Sequence, residues 1–429
     1  MDDAIVALLI FAAVYVVMVL NLADRTVAVL IGALTMVGLG ILSEEQAIEA
    51  IHWEAIGLIF GMFVLVAALS DSGFFRWIGL HALKMTKFNF LKIFVVFCGL
   101  SAFLAAFMDS ITVMIFMASL SIEVCLILKA PPLPIIIAEI CSANIGGSAT
   151  MVGDPPNVII GTALDMTFID FATNTGPIAL FAFAVNLVVF GLFYRHILEN
   201  GKDRKVDVQK IMEEHKDLDP FTAIRDLRQM RIALIVFAFT VTLLIMHSVL
   251  DLLVAYVAIL GAALVLLLGG RGLDHLVDKI DWHTIVFLAG LFVMVGGLEA
   301  SGILSDFAES LSDISGGNVL LIATIVLWTA GLLSALFDNV PLSAAMVPVI
   351  QTISAETGVA LNPLAYTLAM GCDVGGNATP IGASANVVGL AVAEKNGISH
   401  TWGEYCKVAI PAMIITLLVV NALVLILLF

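Results

Sequence analysis

The chain of 429 residues is 61% hydrophobic and only 13% charged, and its formal net charge is −16. This composition excludes a soluble globular protein and predicts an all-α polytopic membrane protein, because long apolar runs span bilayers as helices. No basic stripe suggests nucleic acid, so the expected partners are the lipid bilayer and a small inorganic ion or small-molecule solute.

Apolar segments follow one another in two sets, separated by a polar stretch from His196 to Arg231. The first set covers residues 4–20, 26–42, 55–69, 90–108, 113–128, 133–166 and 177–193. The second set covers residues 232–249, 252–269, 283–299, 318–337, 342–356, 363–393 and 408–428. We therefore divide the chain into a first repeat (1–196), a connecting loop (197–231) and a second repeat (232–429).

The two sets are an internal duplication with a constant offset of 229 residues. Trp53 matches Trp282 and Asp109 matches Asp338 at this offset, and other landmarks share it without a gap. Chance matches between apolar helices would favour Leu and Val rather than Trp, Gly and Asp. The sequence therefore predicts two structural repeats.

One stretch in each repeat interrupts an apolar run with glycine, proline and polar residues. These stretches are Asn144–Asn157 and Asp373–Asn386. Proline lacks the N–H that a helix interior needs, so each run is predicted to be a broken helix. A single stretch of this kind fits a surface loop equally well, but paired interruptions in two repeats favour a transport site within the membrane.

The fourth and fifth segments of each set are interpreted as a re-entrant hairpin, with its tip at Asp109–Thr112 or Asp338–Pro341. Each repeat then has five crossings, so the repeats are inverted and the chain has about ten transmembrane helices. With loop 197–231 in the cytoplasm, both termini lie outside the cell (plasma or inner) membrane. The cytoplasmic side then carries Arg25, Arg76, Lys84, Lys87, Lys129, Arg195, Arg271, Lys279, Lys395 and Lys407. Charge placement fits full crossings in place of the hairpins equally well.

Carboxylates within the apolar segments are the first candidates for function, since a charge at membrane depth is costly and usually marks an ion or proton pathway. Four aspartates lie at symmetric or near-symmetric positions: Asp109, Asp154, Asp338 and Asp373. Glu123 and Glu139 also lie within apolar runs, and the sequence suggests no buried Lys or Arg beside any of the six. We expect the four aspartates to couple transport to an ion or a proton.

Polar residues and glycines around these aspartates are the candidate solute or ion ligands. They are Ser110, Thr112, Asn144, Gly146, Thr150, Asn157, Asn339, Gly375, Asn377, Thr379, Ser384 and Asn386. Side-chain oxygens and freed carbonyls suit Na⁺, for which Asn144, Asn157 and Asn386 are candidates; no other cofactor is expected. Polar contacts between packed helices are the alternative, particularly for Ser343 and Ser384.

Other function classes fit the sequence less well. No GxxxxGK[ST] phosphate loop occurs, so ATP is not the expected energy source. An intramembrane aspartyl protease would carry a Gly-x-Gly-Asp motif, which is absent around Asp154 and Asp373. A passive channel predicts charged or carbonyl rings in an oligomer rather than two broken helices in one chain. The five cysteines show neither zinc nor disulfide spacing and are interpreted as buried packing residues. We expect no enzyme activity.

The motif Asn144–Asn157, preceded by Met108–Thr112, resembles the ion transporter superfamily, and within it the branch of arsenite permeases and the melanosomal P protein. The element Gly153–Asn157 is most like the P-protein side, whereas Gly371–Asp373 and Thr379–Ser384 match the arsenite pattern. This resemblance covers essentially the full chain and implies a homodimer in which a mobile domain carries solute by an elevator motion. It implies H⁺- or Na⁺-coupled transport of a small anion, oxyanion or arsenite-like solute, with Na⁺/H⁺ antiport as the alternative.

Overall fold

The computed structural model describes residues 3–20, 22–202, 218–270 and 280–429, and these contain helices but no strand. The first repeat contains α1 (Asp3–Val19), α2 (Arg25–Gly38), α3 (Glu44–Glu49), α4 (Trp53–Ser72), α5 (Phe74–Thr86), α6 (Phe90–Ala105), α7 (Ser110–Ile127), α8 (Leu133–Gly147), α9 (Pro155–Ala163), α10 (Phe168–Phe193) and α11 (Arg195–Lys202). The predicted all-helical membrane fold is confirmed.

The second repeat follows a 3₁₀ turn at Pro220–Ala223. It contains α12 (Leu227–Met246), α13 (Val254–Gly269), α14 (Trp282–Ala300), α15 (Ile303–Ser315), α16 (Val319–Ser334), α17 (Asn339–Thr357), α18 (Leu361–Gly375), a 3₁₀ turn (Gly376–Ala378), α19 (Ser384–Lys395) and α20 (Trp402–Leu427). Its first helix begins before the predicted residue 232, because Asp226 caps it by accepting from the N–H groups of Arg228 and Gln229. Residues 203–217 of loop 197–231, with Arg271 and Lys279, lie outside the described residues.

The helices of the two repeats correspond along the chain. Helices α5 and α15 coincide at the 229-residue offset, as do α6 and α16. The offset grows to 234 for the last pair, α10 and α20, which both begin with a capping box at Thr167 or Thr401. A longer α19 and a longer loop after it therefore end the gap-free correspondence.

Contacts between the repeats are reciprocal. Helix α4 packs on α13, and α14 packs on α2. A Cβ added at Gly61 would lie 2.5 Å from the carbonyl carbon of Ala258, and one added at Gly290 would lie 3.0 Å from Cγ1 of Val29. Both pairs keep the 229-residue offset, with the repeats exchanged. Glycine is required at Gly61 because the two helix backbones approach so closely there.

Six described helices are long and apolar enough to cross a membrane, and six shorter apolar helices accompany them. The six long helices include α7, the second arm of the predicted first hairpin. Helices α6 and α7 pack against each other, as do α16 and α17. The opposite membrane orientation of the two repeats stays a prediction.

The helices form two packed groups. The first group consists of α1, α2, α4 and α12–α14, which pair with one another around the contacts of Gly61 and Gly290. The second group contains both helix pairs α6–α7 and α16–α17, both broken helices (α8–α9 and α18–α19), and α10 with α20. The candidate site lies in the second group, on the side that faces α2 and α14.

Candidate transport site

The two predicted helix breaks are present. Helix α8 ends at Gly147 and α9 begins at Pro155, whose missing N–H costs nothing at a helix start. Helix α18 ends at Gly375, and after the 3₁₀ turn the chain enters α19 at Ser384. The residues between the helix halves therefore carry backbone groups that no helix satisfies.

Threonine and asparagine side chains satisfy those groups in the same way in both repeats. The hydroxyl of Thr150 donates to the Ala106 carbonyl, and the hydroxyl of Thr379 donates to the Ala335 carbonyl. Nδ2 of Asn157 donates to the carbonyls of Gly147 (3.0 Å) and Thr150 (2.8 Å). Nδ2 of Asn386 donates to the carbonyls of Gly376 and Thr379, both at 2.7 Å. These four predicted ligands hold the breaks in shape.

Gly146 and Gly375 were also predicted as ligands, and both lie against the hairpins. A Cβ added at Gly146 would lie 2.1 Å from the carbonyl oxygen of Ala102 in α6. At Gly375 it would lie 2.2 Å from the carbonyl oxygen of Gly331 in α16. Both glycines allow a hairpin arm to approach the broken helix backbone to backbone, which no larger residue permits.

The hairpin tips end on the helix breaks. Asp109 caps α7 by accepting from the Thr112 N–H at 2.8 Å, and the hydroxyl of Ser110 donates to Oδ1 of Asp154 at 2.6 Å. At the equivalent tip, Asp338 caps α17. There Nδ2 of Asn339 donates to Oδ1 of Asp373 at 3.0 Å. Each tip therefore contacts one buried carboxylate of the broken helix beside it.

A hydrogen-bonded trio of asparagines joins the two repeats. Nδ2 of Asn144 donates to Oδ1 of Asn377 and to Oδ1 of Asn386, at 2.9 Å in both cases. Asn144 and Asn386 are completely buried, and Asn377 is 2% exposed. The first broken helix is thus fixed directly to the second, at the centre of the predicted site.

Several buried oxygens at this centre have no hydrogen-bond donor among the described residues. They are Oδ1 of Asp109, Asn144 and Asn157, and Oδ2 of Asp154 and Asp373. Buried acceptors are normally paired, and leaving one without a donor costs about 1–3 kcal/mol. A cluster made only of acceptors suits a proton or a hard cation such as Na⁺. No cluster of three or more His, Cys, Asp or Glu ligands for a metal ion occurs in the described ranges.

The sequence suggests no buried Lys or Arg beside the aspartates, but the partly exposed Arg25 at the start of α2 reaches the site. Its Nη1 donates to Oγ of Ser384 at 3.0 Å and lies 3.9 Å from Oδ2 of Asp338. Ser384 in turn donates to Asp338 at 2.8 Å, and the guanidinium lies 5.5 Å from the ring centre of Phe287. Arg25 therefore connects the first helix group to the second hairpin and the second broken helix.

The N-terminal cap of α2 fixes the position of Arg25. Asp24 caps α2 by accepting from the N–H groups of Thr26 and Val27. These hydrogen bonds, first of all that from Val27, hold the pKa of Asp24 below its ordinary value. The sequence does not predict this role of Arg25, because its position between two apolar segments is equally typical of a charge in a cytoplasmic loop. Its repeat equivalent is Val254, so the duplication gave no sign of it.

Glu123 and Glu139 are not part of the helix breaks, and Glu123 has an exposed cationic partner that the sequence did not suggest. Arg76 binds both of its oxygens, at 2.7 and 2.8 Å, so Glu123 forms a paired charge at the side of the first hairpin. Glu139 is completely buried and accepts from the Ser121 hydroxyl at 2.7 Å. Ser343 donates to the Val340 carbonyl of its own helix, which is a packing role.

A cavity of about 20 Å³ lies where the hairpin tips, the helix breaks and the first helix group meet. The polar residues that line it are Arg25, Ser110, Asp154, Thr284, Asn339 and Ser384. A cavity of this size has room for about one water molecule or a small ion. In this conformation the site is therefore nearly closed around a very small volume.

Comparisons with known proteins agree with this architecture. The model of a family described as citrate transporter matches residues 8–371. An uncharacterised transporter of Mycobacterium bovis is 31% identical over 414 residues, which cover 94% of each chain. The human P protein is 28% identical over 492 residues, which cover 96% of this chain and 58% of that protein.

Two solved structures share the fold. The YdaH transporter of Alcanivorax borkumensis aligns with a TM-score of 0.60 at 12% identity, covering 89% of this chain and 86% of that one. MtrF of Neisseria gonorrhoeae, described as one of a class of antimetabolite efflux pumps, aligns with a TM-score of 0.55 at 11% identity, covering 94% and 84%. Both structures are transporters, and the helical membrane architecture of this chain is thus one that transporters use.

Proposed function

We propose a function for this chain, which belongs to the citrate transporter family of the ion transporter superfamily. It is a secondary active transporter that couples solute movement to H⁺ or Na⁺. Membrane transport follows from the family and the apolar helices. The coupling is supported by one observation above all, the group of buried oxygens without donors at the two helix breaks. Such a group is stable only when a proton or a cation compensates it.

The chemistry of the site favours a small solute. The cavity of about 20 Å³ is too small for a drug-sized ligand, which needs about 300 Å³ or more. The described lining offers an organic polyanion no free cation, because the guanidinium of Arg25 already donates to Ser384 and lies 3.9 Å from Asp338. We therefore propose proton-coupled export of a small oxyanion or a neutral hydroxide such as arsenite.

Na⁺/H⁺ antiport is the second candidate, and a specific observation favours it. Carboxylate and amide oxygens outnumber donors at the breaks, and Asn144 and Asn157 each keep one free oxygen. Oxygen ligands of this kind suit Na⁺, with the carboxylates exchanging it for H⁺. In this case the ion itself is the solute, and the small cavity is its site.

The two helix groups suggest how the solute moves. We propose that α1, α2, α4 and α12–α14 form a scaffold and that the second group is the mobile transport unit, working as a homodimer with an elevator motion. Arg25 and Phe287 belong to the scaffold, whereas Ser384 and Asp338 belong to the transport unit. The contact between them has to break whenever the unit moves, so it helps to set the stability of the state seen here.

Transport assays in proteoliposomes separate the candidate functions. One gradient at a time is imposed (H⁺, Na⁺ or solute), and arsenite, small oxyanions, citrate and Na⁺ are tested singly. Export of a small oxyanion or hydroxide requires that the solute, but not Na⁺, dissipates an imposed pH gradient, whereas antiport requires that Na⁺ alone does so. Solute flux that no ion gradient changes would exclude coupled transport.

A further inference from the structure

An apolar groove of about 850 Å³ lies between the first helix and the second hairpin. Helices α1 and α14 form one wall, and α16 and α17 form the other, with α15 at one end. Tyr15, Asp306 and Ser310 are the polar residues of its lining, and every other lining residue is apolar. The groove therefore suits a hydrocarbon ligand and does not suit the small polar solute of the candidate site.

One end of the groove lies at the membrane surface. It is lined by Leu298, near the end of α14, and by Asp306 of the following helix α15. Asp306, Glu309 and Asp313 are all exposed on α15. Charged side chains are costly in the hydrocarbon of a bilayer, so α15 marks the boundary between hydrocarbon and water.

The other end reaches the tip of the second hairpin. It is lined by Phe337 and Pro341, and Tyr15 of α1 contacts Phe337 with ring centres 4.7 Å apart. Along α1 the lining extends from Leu8 to Val19. A helix covers about 16 Å between these two residues. Each leaflet contributes half of a hydrocarbon core of about 30 Å, so the groove is about as long as one leaflet is thick.

The first repeat fills the equivalent space with aromatic rings. Phe75 of α5 and Phe116 of α7 stack with ring centres 4.7 Å apart. Their equivalents at the 229-residue offset are Leu304 and Ala345, and both line the groove. The methyl group of Ala345 leaves free most of the space that a phenyl ring would occupy. The two repeats thus share a helix arrangement, and the second one leaves room for another molecule.

We infer that this groove binds one acyl chain of a membrane phospholipid, with the headgroup beside α15. The groove opens toward the bilayer, because Leu8 and Val16 of its α1 wall are 45% and 54% exposed. A chain can therefore enter sideways from the surrounding lipid. Its length matches one leaflet, and its methylene groups would supply the packing contacts that an empty groove withholds from Ala345 and Phe337.

The charge at the surface end selects a zwitterionic headgroup. Residues 299–318 contain no Lys or Arg but four acidic residues, Glu299, Asp306, Glu309 and Asp313. An anionic headgroup would be repelled there, whereas the ammonium group of a zwitterionic headgroup would be attracted to Asp306. The ligand is thus a lipid such as phosphatidylethanolamine rather than an anionic phospholipid.

The bound chain would lie between the two helix groups. Helices α1 and α14 belong to the proposed scaffold, and the hairpin α16–α17 belongs to the proposed transport unit. A bound chain therefore stabilises the present distance between them, and it has to leave or slide when the hairpin tip moves past Tyr15. This role rests on the proposed elevator motion, whereas the lipid site itself does not.

Native mass spectrometry of the full chain tests the site. The protein is reconstituted in vesicles with equal amounts of phosphatidylethanolamine and phosphatidylglycerol, extracted in mild detergent and analysed with its retained lipid. We expect one retained phosphatidylethanolamine per chain. Ala345→Phe copies the first repeat, fills the groove and should lower this retention by about tenfold or more. Leu9→Phe is the matched control and should retain lipid like wild type, since Leu9 is 58% exposed on α1 outside the groove.

Asp306→Lys is a second variant, which leaves the groove open. It should exchange the retained phosphatidylethanolamine for phosphatidylglycerol, because it reverses the charge at the surface end. Retention that is unchanged in amount and in kind in both Ala345→Phe and Asp306→Lys would overturn the lipid site. Cross-linking of two copies through Ala345→Cys would also overturn it, because the groove would then be a subunit contact.

Transport measured on the same preparations separates this inference from the proposed function. We expect Ala345→Phe to slow transport, because a phenyl ring cannot leave the groove as a lipid chain can. Lipid loss in Ala345→Phe at an unchanged transport rate would keep the lipid site and refute its role in the motion. Wild-type transport that no ion gradient drives would refute the proposed coupling and leave the lipid site standing.

Discussion

Arg25 donates a hydrogen bond from Nη1 to Oγ of Ser384 at 3.0 Å, across 359 residues of sequence. Ser384 opens the second half of a broken helix, and Arg25 opens a helix of the proposed scaffold. The same guanidinium lies 3.9 Å from Asp338 at the second hairpin tip. One half-buried cation thus contacts both elements that are expected to move.

Arg25→Gln should remove the charge of this contact while keeping a side chain of similar length. Charge-assisted hydrogen bonds contribute about 1.5–3 kcal/mol, so a change of tenfold or more in transport rate is expected. The measurement is initial flux in proteoliposomes. Arg228→Gln, on the exposed first turn of α12, is the control and should transport at the wild-type rate. Equal transport rates for both variants would show that Arg25 has no role in the transport cycle.

Asn157→Ala and Asn386→Ala should each reduce transport strongly, by about tenfold or more, while folded protein remains in the membrane. Each variant loses two hydrogen bonds to carbonyls at a helix break, and Asn386→Ala also loses the bond from Asn144. Flux is compared with the amount of folded protein from size-exclusion chromatography. Wild-type rates in both variants would place the transport site elsewhere.

Gly146→Ala and Gly375→Ala should destabilise the protein by about 1–3 kcal/mol each, because the new methyl group meets a backbone carbonyl that cannot move aside. Thermal unfolding in detergent measures the effect. Gly191→Ala is the matched control: it lies within α10 with open space around it, and helix propensity predicts a small gain in stability. Similar unfolding temperatures for all three variants would contradict the close approach of hairpin and broken helix.

Cysteines introduced at Ser43 and Thr222 should react with a membrane-impermeant reagent from opposite sides. Both positions are exposed, Ser43 before α3 and Thr222 in the 3₁₀ turn ahead of α12. The placement of Lys and Arg assigns residue 222 to the cytoplasm and residue 43 to the outside. Labelling of both from one side would refute the predicted orientation and the odd number of crossings in each repeat.

The breaks and the tips could be predicted from sequence because the physics that creates them is local. Proline and glycine end a helix wherever they occur, and an aspartate at a tip caps the helix that follows it. The duplication then predicts each feature a second time, at the equivalent position of the other repeat. The same reasoning placed Asn144, Asn377 and Asn386 in one site. It predicted that they bind a solute or ion, whereas in the structure Asn144 donates to the other two.

Arg25 and the Arg76–Glu123 pair could not be predicted because their contacts depend on how distant helices pack. The sequence distance between partners is 359 residues for Arg25 and Ser384, and 47 for Arg76 and Glu123. Neither arginine has a basic counterpart in the other repeat, so the duplication did not mark them. A residue that breaks the symmetry of a duplicated site is visible only once the fold is known.

The most direct test of coupled transport is to follow the internal pH of proteoliposomes that hold an imposed pH gradient. Addition of the solute, or of Na⁺ alone, should collapse the gradient in wild-type vesicles and not in empty ones. Asp109→Asn and Asp338→Asn, which keep an acceptor oxygen for the helix caps, should abolish or uncouple this response. A gradient that survives every solute and Na⁺, or that collapses with the same pH dependence in both variants as in wild type, would contradict cation coupling through these carboxylates.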